Sequence, residues 1–329
     1  MFAALAPAMS SANDLFASSK TENLYKKTKV PPSYLALFRS GELGRRADAL
    51  KAVYEECRLC PRDCRVDRTQ GQLGKCRSSA RVKVSSAYPH FGEEKPLVGQ
   101  NGSGTIFFSN CGLRCLYCQN YSVSLEGEGI EISDERLAQS MLTLQKMGCH
   151  NINLVTPTQY LPNIVSALTI AIPKGLQIPL VYNTGGYERV DIVRLLEGIV
   201  DIYLPDCKYM DPENAAKYSE EAFNYPYYAK QALLEMQRQV GVLSSTRGIA
   251  VKGLMIRHLI LPNRLAGTEE FLKFIAECFP GDTYVNLMGQ YRPEYKAGEH
   301  PEIARRLQRK EYAEALDWAR KYGVKRLAR

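Results

Sequence analysis

At 329 residues the chain exceeds the usual size of one domain, yet a single barrel with appendages takes about 250 residues or more. Its 45% hydrophobic and 24% charged residues are ordinary for a soluble globular protein, and no apolar run approaches the roughly 20 residues that span a bilayer, so no membrane association is expected. A formal charge of +8 does not read as a nucleic-acid signature. The basic residues are scattered except at Lys26-Lys27, Arg45-Arg46 and a C-terminal stretch, residues 301–329, expected to be a solvated basic helical segment.

Residues 1–20 are rich in Ala and Ser, with Asp14 and Lys20 as their only charges, which fits neither a secretory nor a mitochondrial signal. The expectation for residues 1–33 is a disordered leader. From Tyr34 to Glu56 the apolar residues Leu35, Phe38, Leu43, Ala47, Leu50 and Tyr54 keep helical spacing, predicting one or two helices. They lead into Cys57-x2-Cys60-Pro61-x2-Cys64, followed by Cys76 after Gly71 and Gly74. Four thiols in so short a segment, with little apolar sequence around them, predict a helical and cysteine-rich unit over 34–80 that a bound metal would stabilise. A second iron–sulfur cluster, a structural zinc and free thiols that merely pack all satisfy this spacing.

Arg81 to Ser85 reads as a short strand. After a Gly-punctuated stretch, apolar β runs alternate with helical patterns. The strands expected are Thr105–Ser109, Asn151–Thr156, Leu180–Asn183, Val200–Leu204, Leu254–Leu261 and Thr283–Met288. Between them, Ser133 caps a helix carrying Leu137, Met141 and Leu144, and further helices are expected over 161–172, 190–196, 227–240 and 271–278. Strands alternating with helices imply a parallel sheet, as a full barrel, a partial barrel or an open doubly wound sheet.

Directly after the first of these strands stands Cys111-x3-Cys115-x2-Cys118, with Tyr117 before the last thiol. Three thiolates can hold three irons of a cuboidal [4Fe–4S] cluster and leave the fourth open. Tetrahedral zinc wants four ligands, and no fourth Cys or His follows closely. Ten cysteines, seven of them between Cys57 and Cys118, follow metal spacing rather than secreted disulfide spacing, so a reducing, cytoplasmic compartment is expected. Cys149, Cys207 and Cys278 stand alone and read as small buried hydrophobes. His258 is open to a structural or a proton-transfer reading.

This motif resembles the signature of the radical S-adenosylmethionine (SAM) superfamily. The stretch from Cys57 to Tyr291 resembles its branch related to pyruvate formate-lyase activating enzyme, through Cys-x2-Cys-Pro-Arg-x-Cys, Thr156-Pro157-Thr158, Asn183-Thr184-x-Gly186, Asp206-x-Lys208-Tyr209, Arg257-His258-Leu259 and Met288-x-Gln290-Tyr291. The resemblance implies an α/β fold, a partial (β/α)6 TIM-like barrel over 81–300 with a cysteine-rich N-terminal extension and C-terminal helices. It also implies a [4Fe–4S] cluster on Cys111, Cys115 and Cys118 that reductively cleaves SAM to a 5′-deoxyadenosyl radical. Tyr117, Thr156, Asn183, Asp206, Lys208 and Arg257 become the candidate cofactor contacts, and Cys57, Cys60, Cys64 and Cys76 the candidate ligands of a second cluster or zinc. An external one-electron donor of the flavodoxin or ferredoxin type and a protein substrate, as for a glycyl-radical activase, are the partners implied. The Gly-Gly-Glu stretch that binds the SAM amino group in that superfamily is absent here, because Thr-Pro-Thr stands in its place. Action on a small molecule, or a non-catalytic iron–sulfur or zinc carrier or scaffold, are the alternative functions.

Overall fold

The computed structural model describes residues 30–328. Residues 1–29, most of the expected leader, lie outside them. Two short helices, α1 (Tyr34–Arg39) and α2 (Glu42–Ala52), open the described chain, and Ser33 is fastened by its N–H to Asp201 Oδ1 at 2.7 Å. The cysteine-rich segment that follows contains no regular element before β1 (Val82–His90). After β1 come α3 (Lys95–Val98), β2 (Ser103–Phe108), α4 (Tyr121–Ser124), β3 (Ile130–Ile132) and α5 (Asp134–Lys146). The remaining elements are β4 (Ile152–Val155), α6 (Leu161–Ala171), β5 (Leu180–Thr184), α7 (Val190–Leu195), β6 (Ile202–Pro205), α8 (Pro212–Tyr218) and α9 (Tyr225–Val240). The chain finishes with β7 (Ser244–Thr246), β8 (Ile249–Leu259), α10 (Thr268–Cys278), β9 (Tyr284–Met288) and α11 (Arg309–Lys321).

The protein is a mixed α/β fold around one nine-stranded sheet. Strands β2, β4, β5, β6, β8 and β9 run parallel and lie side by side in chain order. Each new strand is added on the same side of its predecessor, so every crossover returns over the same face. Side-chain alternation shows the result. Ile106, Leu154, Tyr182, Tyr203, Ile256 and Val285 pack in one core with the helices, whereas Val181, Ile202, Leu204, Met255 and Tyr284 form a second core on the opposite, inner face. Leu97 of α3 plugs that inner face, pinned by the Asn151 Nδ2 to Leu97 carbonyl bond of 2.9 Å. Antiparallel β1 and β3 extend the sheet beyond β2. At the other side, the C-terminal residues run beside β9, where Val285 N–H donates to the Arg326 carbonyl and Ala328 N–H to the Val285 carbonyl.

Local chemistry sets the boundaries. Ser133 Oγ accepts from Arg136 N–H and starts α5, Asp211 caps α8 in the same way, and Gln308 with Glu311 forms a capping box on α11. Cys278 departs from the buried position expected of it: it is exposed at the last turn of α10, and Phe279 supplies the buried contact there. Among the described residues no helix is long and apolar enough to cross a membrane.

Candidate active site at the strand ends

Cys111, Cys115 and Cys118 lie in the loop at the C-terminal end of β2, on the edge where parallel α/β sheets gather ligands. The loop is held in an uncommon backbone: Asn110 and Arg114, each preceding a thiol, and Thr156 at the end of β4 all have positive φ. For non-glycine residues this is strain that the surroundings must enforce. Here Asn110 Nδ2 reaches Ser78 Oγ and Tyr160 Oη at 3.2 Å, Arg114 Nε meets Glu220 Oε1 at 2.8 Å, and Gln159 Nε2 donates to the carbonyls of Asn110 at 3.0 Å and Thr156 at 2.8 Å.

All three thiols line one cavity of about 570 Å³. Its polar wall is built from the ends of three successive strands. Asp206, after β6, accepts from Lys208 Nζ on Oδ2 and from Arg257 Nε of β8 on Oδ1, both at 2.7 Å. Arg257 Nη2 also donates to Asn183 Oδ1 of β5 at 2.6 Å. Burial alone would raise the Asp206 carboxyl, but the guanidinium and the ammonium outweigh it and hold it below its usual range. Gly186 makes this closeness feasible: with φ of 76°, a Cβ there would stand 2.0 Å from the Asp206 carbonyl oxygen.

Burial raises each of the three thiols, and one cation opposes the rise at all of them. The charge of Lys208 favours the thiolates of Cys111, Cys115 and Cys118 alike. Hydrogen bonds add to it: Ser219 Oγ donates to Cys115 Sγ at 3.2 Å, and backbone N–H groups of Leu113 and Arg114 favour the Cys111 thiolate, as that of Asn120 favours Cys118. Tyr117 is buried edge-on to Tyr209 and Tyr291, at 6.2 and 5.8 Å between ring centroids. Thr156 lies on the wall of this cavity and of a smaller one.

That smaller cavity, about 40 Å³, is lined by Cys57, Cys60, Cys64 and Cys76 together with Cys111. Cys60 is raised well above its usual value, first by burial and then by the neighbouring thiols Cys76, Cys57 and Cys64. The two thiol groups therefore share a wall at Cys111, and a Cβ on Gly112 would stand 3.3 Å from Cys60 Sγ. No disulfide joins any of the ten cysteines, all of which lie among the described residues. The seven of the two groups are arrayed around cavities, and among the described residues no three His, Cys, Asp or Glu side chains converge on a single-ion position.

No family model matches the chain. Over 288 residues it is 32% identical to the uncharacterized protein MJ0674 of Methanocaldococcus jannaschii, an alignment that covers 85% of this chain and 78% of that protein. The chain belongs to the MJ0674 family. Among solved structures, methylornithine synthase (PylB) is similar with a TM-score of 0.41 and 15% identity, over 93% of this chain and 77% of that one.

In this member of the MJ0674 family, His258 belongs to the fold. Its ring is buried between the Cys207 carbonyl, 2.6 Å from Nδ1, and Thr268 Oγ1, 3.0 Å from Nε2, and it stacks on Phe271 at 4.3 Å, on the helix side of the sheet. Burial pulls it down to about 4, so it is neutral at ordinary pH. Several polar residues at the site were not singled out from the sequence. Glu93 stands 3.5 Å from Arg257 Nη1 on the floor of the large cavity, and Glu188 is buried on the wall of the small one, accepting from Thr158 Oγ1 at 2.6 Å and from Thr184 Oγ1. Arg62, between Cys60 and Cys64, donates to the carbonyls of Gly112, Leu113, Ser219 and Glu220. The signal for Arg62 was the Cys-Pro-Arg-x-Cys string itself. Glu93 and Glu188 lie in segments without periodicity, where nothing marks burial.

Proposed function

We propose that this protein is a radical SAM enzyme whose six parallel strands form a partial (β/α)6 barrel, with Cys111, Cys115 and Cys118 as the ligands of a [4Fe–4S] cluster. The observation that carries the reading is that these three thiols and the Asp206, Lys208, Arg257 and Asn183 network line one cavity at the strand ends. The donor set fits the group. Soft sulfur ligands spaced around a cavity suit a cluster of several metal atoms, whereas a lone zinc needs four donors about 2.3 Å from one point. When bound, the cluster supplies one electron for reductive cleavage of SAM, the hard chemistry that the chain itself cannot provide.

The chain's own residues account for the rest. Lys208 presents an ammonium to the thiols and suits a carboxylate, while Asp206 fixes its position and that of Arg257. Asn183 offers an amide at the same level. The buried tyrosines Tyr117, Tyr209 and Tyr291 exclude water behind the thiol loop. For the substrate we favour a protein residue, on the motifs shared with the glycyl-radical activases. A flavodoxin- or ferredoxin-like donor would then serve as electron source in a reducing, cytoplasmic setting. In the same reading Cys57, Cys60, Cys64 and Cys76 hold a second metal group.

The decisive experiment is anaerobic reconstitution with iron and sulfide, followed by dithionite and SAM. Release of 5′-deoxyadenosine with methionine is expected from the wild type and not from Cys115→Ala. Equal release from both would overturn the assignment, and an iron-loaded protein that leaves SAM intact would favour an electron carrier.

A further inference from the structure

The inner face of the sheet carries polar atoms that the protein leaves without partners. Asn153, in the middle of β4, is fully buried, and its neighbours Ile152 and Leu154 pack with the helices, so its amide points to the inner face. Asn153 Oδ1 has no hydrogen-bond partner within the protein. Glu94 Oε2 is buried and unpartnered too, while Glu94 Oε1 accepts from Asn286 Nδ2 at 2.9 Å. Glu93 lies against both: burial and then the Glu94 charge raise its carboxyl, while Arg257 and the Asn153 amide nitrogen pull the other way. Its contacts are long, 3.5 Å to Arg257 Nη1 and 3.4 Å to Asn183 Nδ2, and it is the member of this group that lines the large cavity.

The charges do not balance. Three carboxylates, Glu93, Glu94 and Asp206, act on Arg257, and Lys208 is the second cation of the network. Both cations are engaged by Asp206 at 2.7 Å, so Glu93 and Glu94 share what remains of one guanidinium. His258, on the other face and neutral, adds nothing. Buried carboxyl groups short of close cationic partners, beside an orphaned amide oxygen, call for a cation that can also donate hydrogen bonds.

We infer that the cavity floor is a subsite for a cationic nitrogen, an ammonium or guanidinium, of the molecule that occupies the cavity. Glu93 is the contact, with Glu94 and Asn153 Oδ1 as the acceptors behind it. The inference stands apart from the SAM reading, because it follows from charge and unpaired atoms alone. The nitrogen can belong to SAM itself, whose usual amino-group stretch is missing from this chain, or to a second, amine-bearing molecule.

Butylammonium chloride and its neutral isostere n-butanol test the chemistry in the metal-free protein, by following the Asn153 side-chain amide in the NMR spectrum of the nitrogen-15-labelled chain. Butylammonium should move that signal and butanol should not. Glu93→Gln should weaken the ammonium response roughly 10- to 100-fold, the range for a hydrogen bond to a charged group. A Glu93→Asp variant keeps the charge and should keep the preference for the amine, which separates loss of charge from loss of fold. Equal responses to amine and alcohol, or no effect of Glu93→Gln, would overturn the subsite and leave a bound proton or water as the answer. A second arm compares SAM with its desamino analogue. A difference that is present in the wild type and absent in Glu93→Gln assigns the nitrogen to SAM, while equal affinities in both proteins assign it to a second molecule. Absence of any SAM binding would count against the proposed enzyme and leave the ammonium result standing.

Discussion

Arg62 Nε stands 2.9 Å from the Gly112 carbonyl oxygen, so the residue between two upstream thiols holds the backbone between two thiols of the strand-end loop. The same guanidinium reaches Leu113, Ser219 and Glu220, and no lysine can copy that fork. Arg62→Lys should therefore uncouple the two groups, lowering unfolding stability by about 1–2 kcal/mol for part-buried carbonyls left short of donors. Alkylation of Cys60 and Cys111, read by mass spectrometry, should speed up together. Acceleration at Cys60 alone would show that the contact does not tie the loops.

Lys208 favours all three strand-end thiolates, so its removal is predicted to act on all of them. In the metal-free protein, Lys208→Met should shift the pH profile of alkylation at Cys111, Cys115 and Cys118 upward, because burial is then opposed only by hydrogen bonds. The same variant should bind SAM roughly tenfold more weakly or worse, as a lost charge-assisted bond requires. Unchanged SAM affinity by equilibrium dialysis would remove Lys208 from the cofactor site.

Glu188 gives a prediction in pH. Burial lifts its carboxyl to about 7, against hydroxyl donors from Thr158, Thr184 and Tyr182 that pull the other way. The unfolded value is about 4.3, so between the two the folded protein keeps a proton that the unfolded chain has released. Its contribution to stability is complete below about 4.3 and is lost as pH rises to about 7, on the order of 3 kcal/mol in all. Glu188→Gln should flatten the fall in melting temperature over that window. Parallel wild-type and variant curves would place the titration elsewhere.

The upstream thiols make a prediction in metal content. Changing Cys60 and Cys64 together to Ala should remove one site's metal from the reconstituted protein and leave the Cys111 group loaded, since Cys111, Cys115 and Cys118 line a larger cavity that the four upstream thiols do not reach. Loss of zinc alone would mark a structural site, and loss of about four irons with their sulfides a second cluster. Retention of all metal in the double variant would show that these thiols are not ligands.

Much of this was legible in the sequence, for a physical reason. All six parallel strands fall within a few residues of their expected places, because a strand buried on both faces is a continuous apolar run bounded by turns. What escaped was structure that periodicity does not encode. β1 continues through Pro89 to His90 because it pairs with β2, a tertiary fact, and the three-residue β3 and β7 are too short to show alternation. The cysteines announced themselves by spacing, and Asp206 and Lys208 by the family resemblance of the Asp-x-Lys string that follows a strand. Glu93, Glu94 and Asn153 did not, since a carboxylate before a four-residue helix looks like surface, and one asparagine in an apolar strand gives no sign of the face it points to.

The C-terminal residues beside β9 carry a consequence for handling the protein. Val285 turns its N–H and carbonyl toward Arg326 and Ala328, so this short stretch occupies an edge that would otherwise be free to pair with another chain. Removing residues 326–328 would not touch the thiols or the cavity, yet it would uncover a strand edge. The cost would appear as aggregation during expression rather than as altered chemistry.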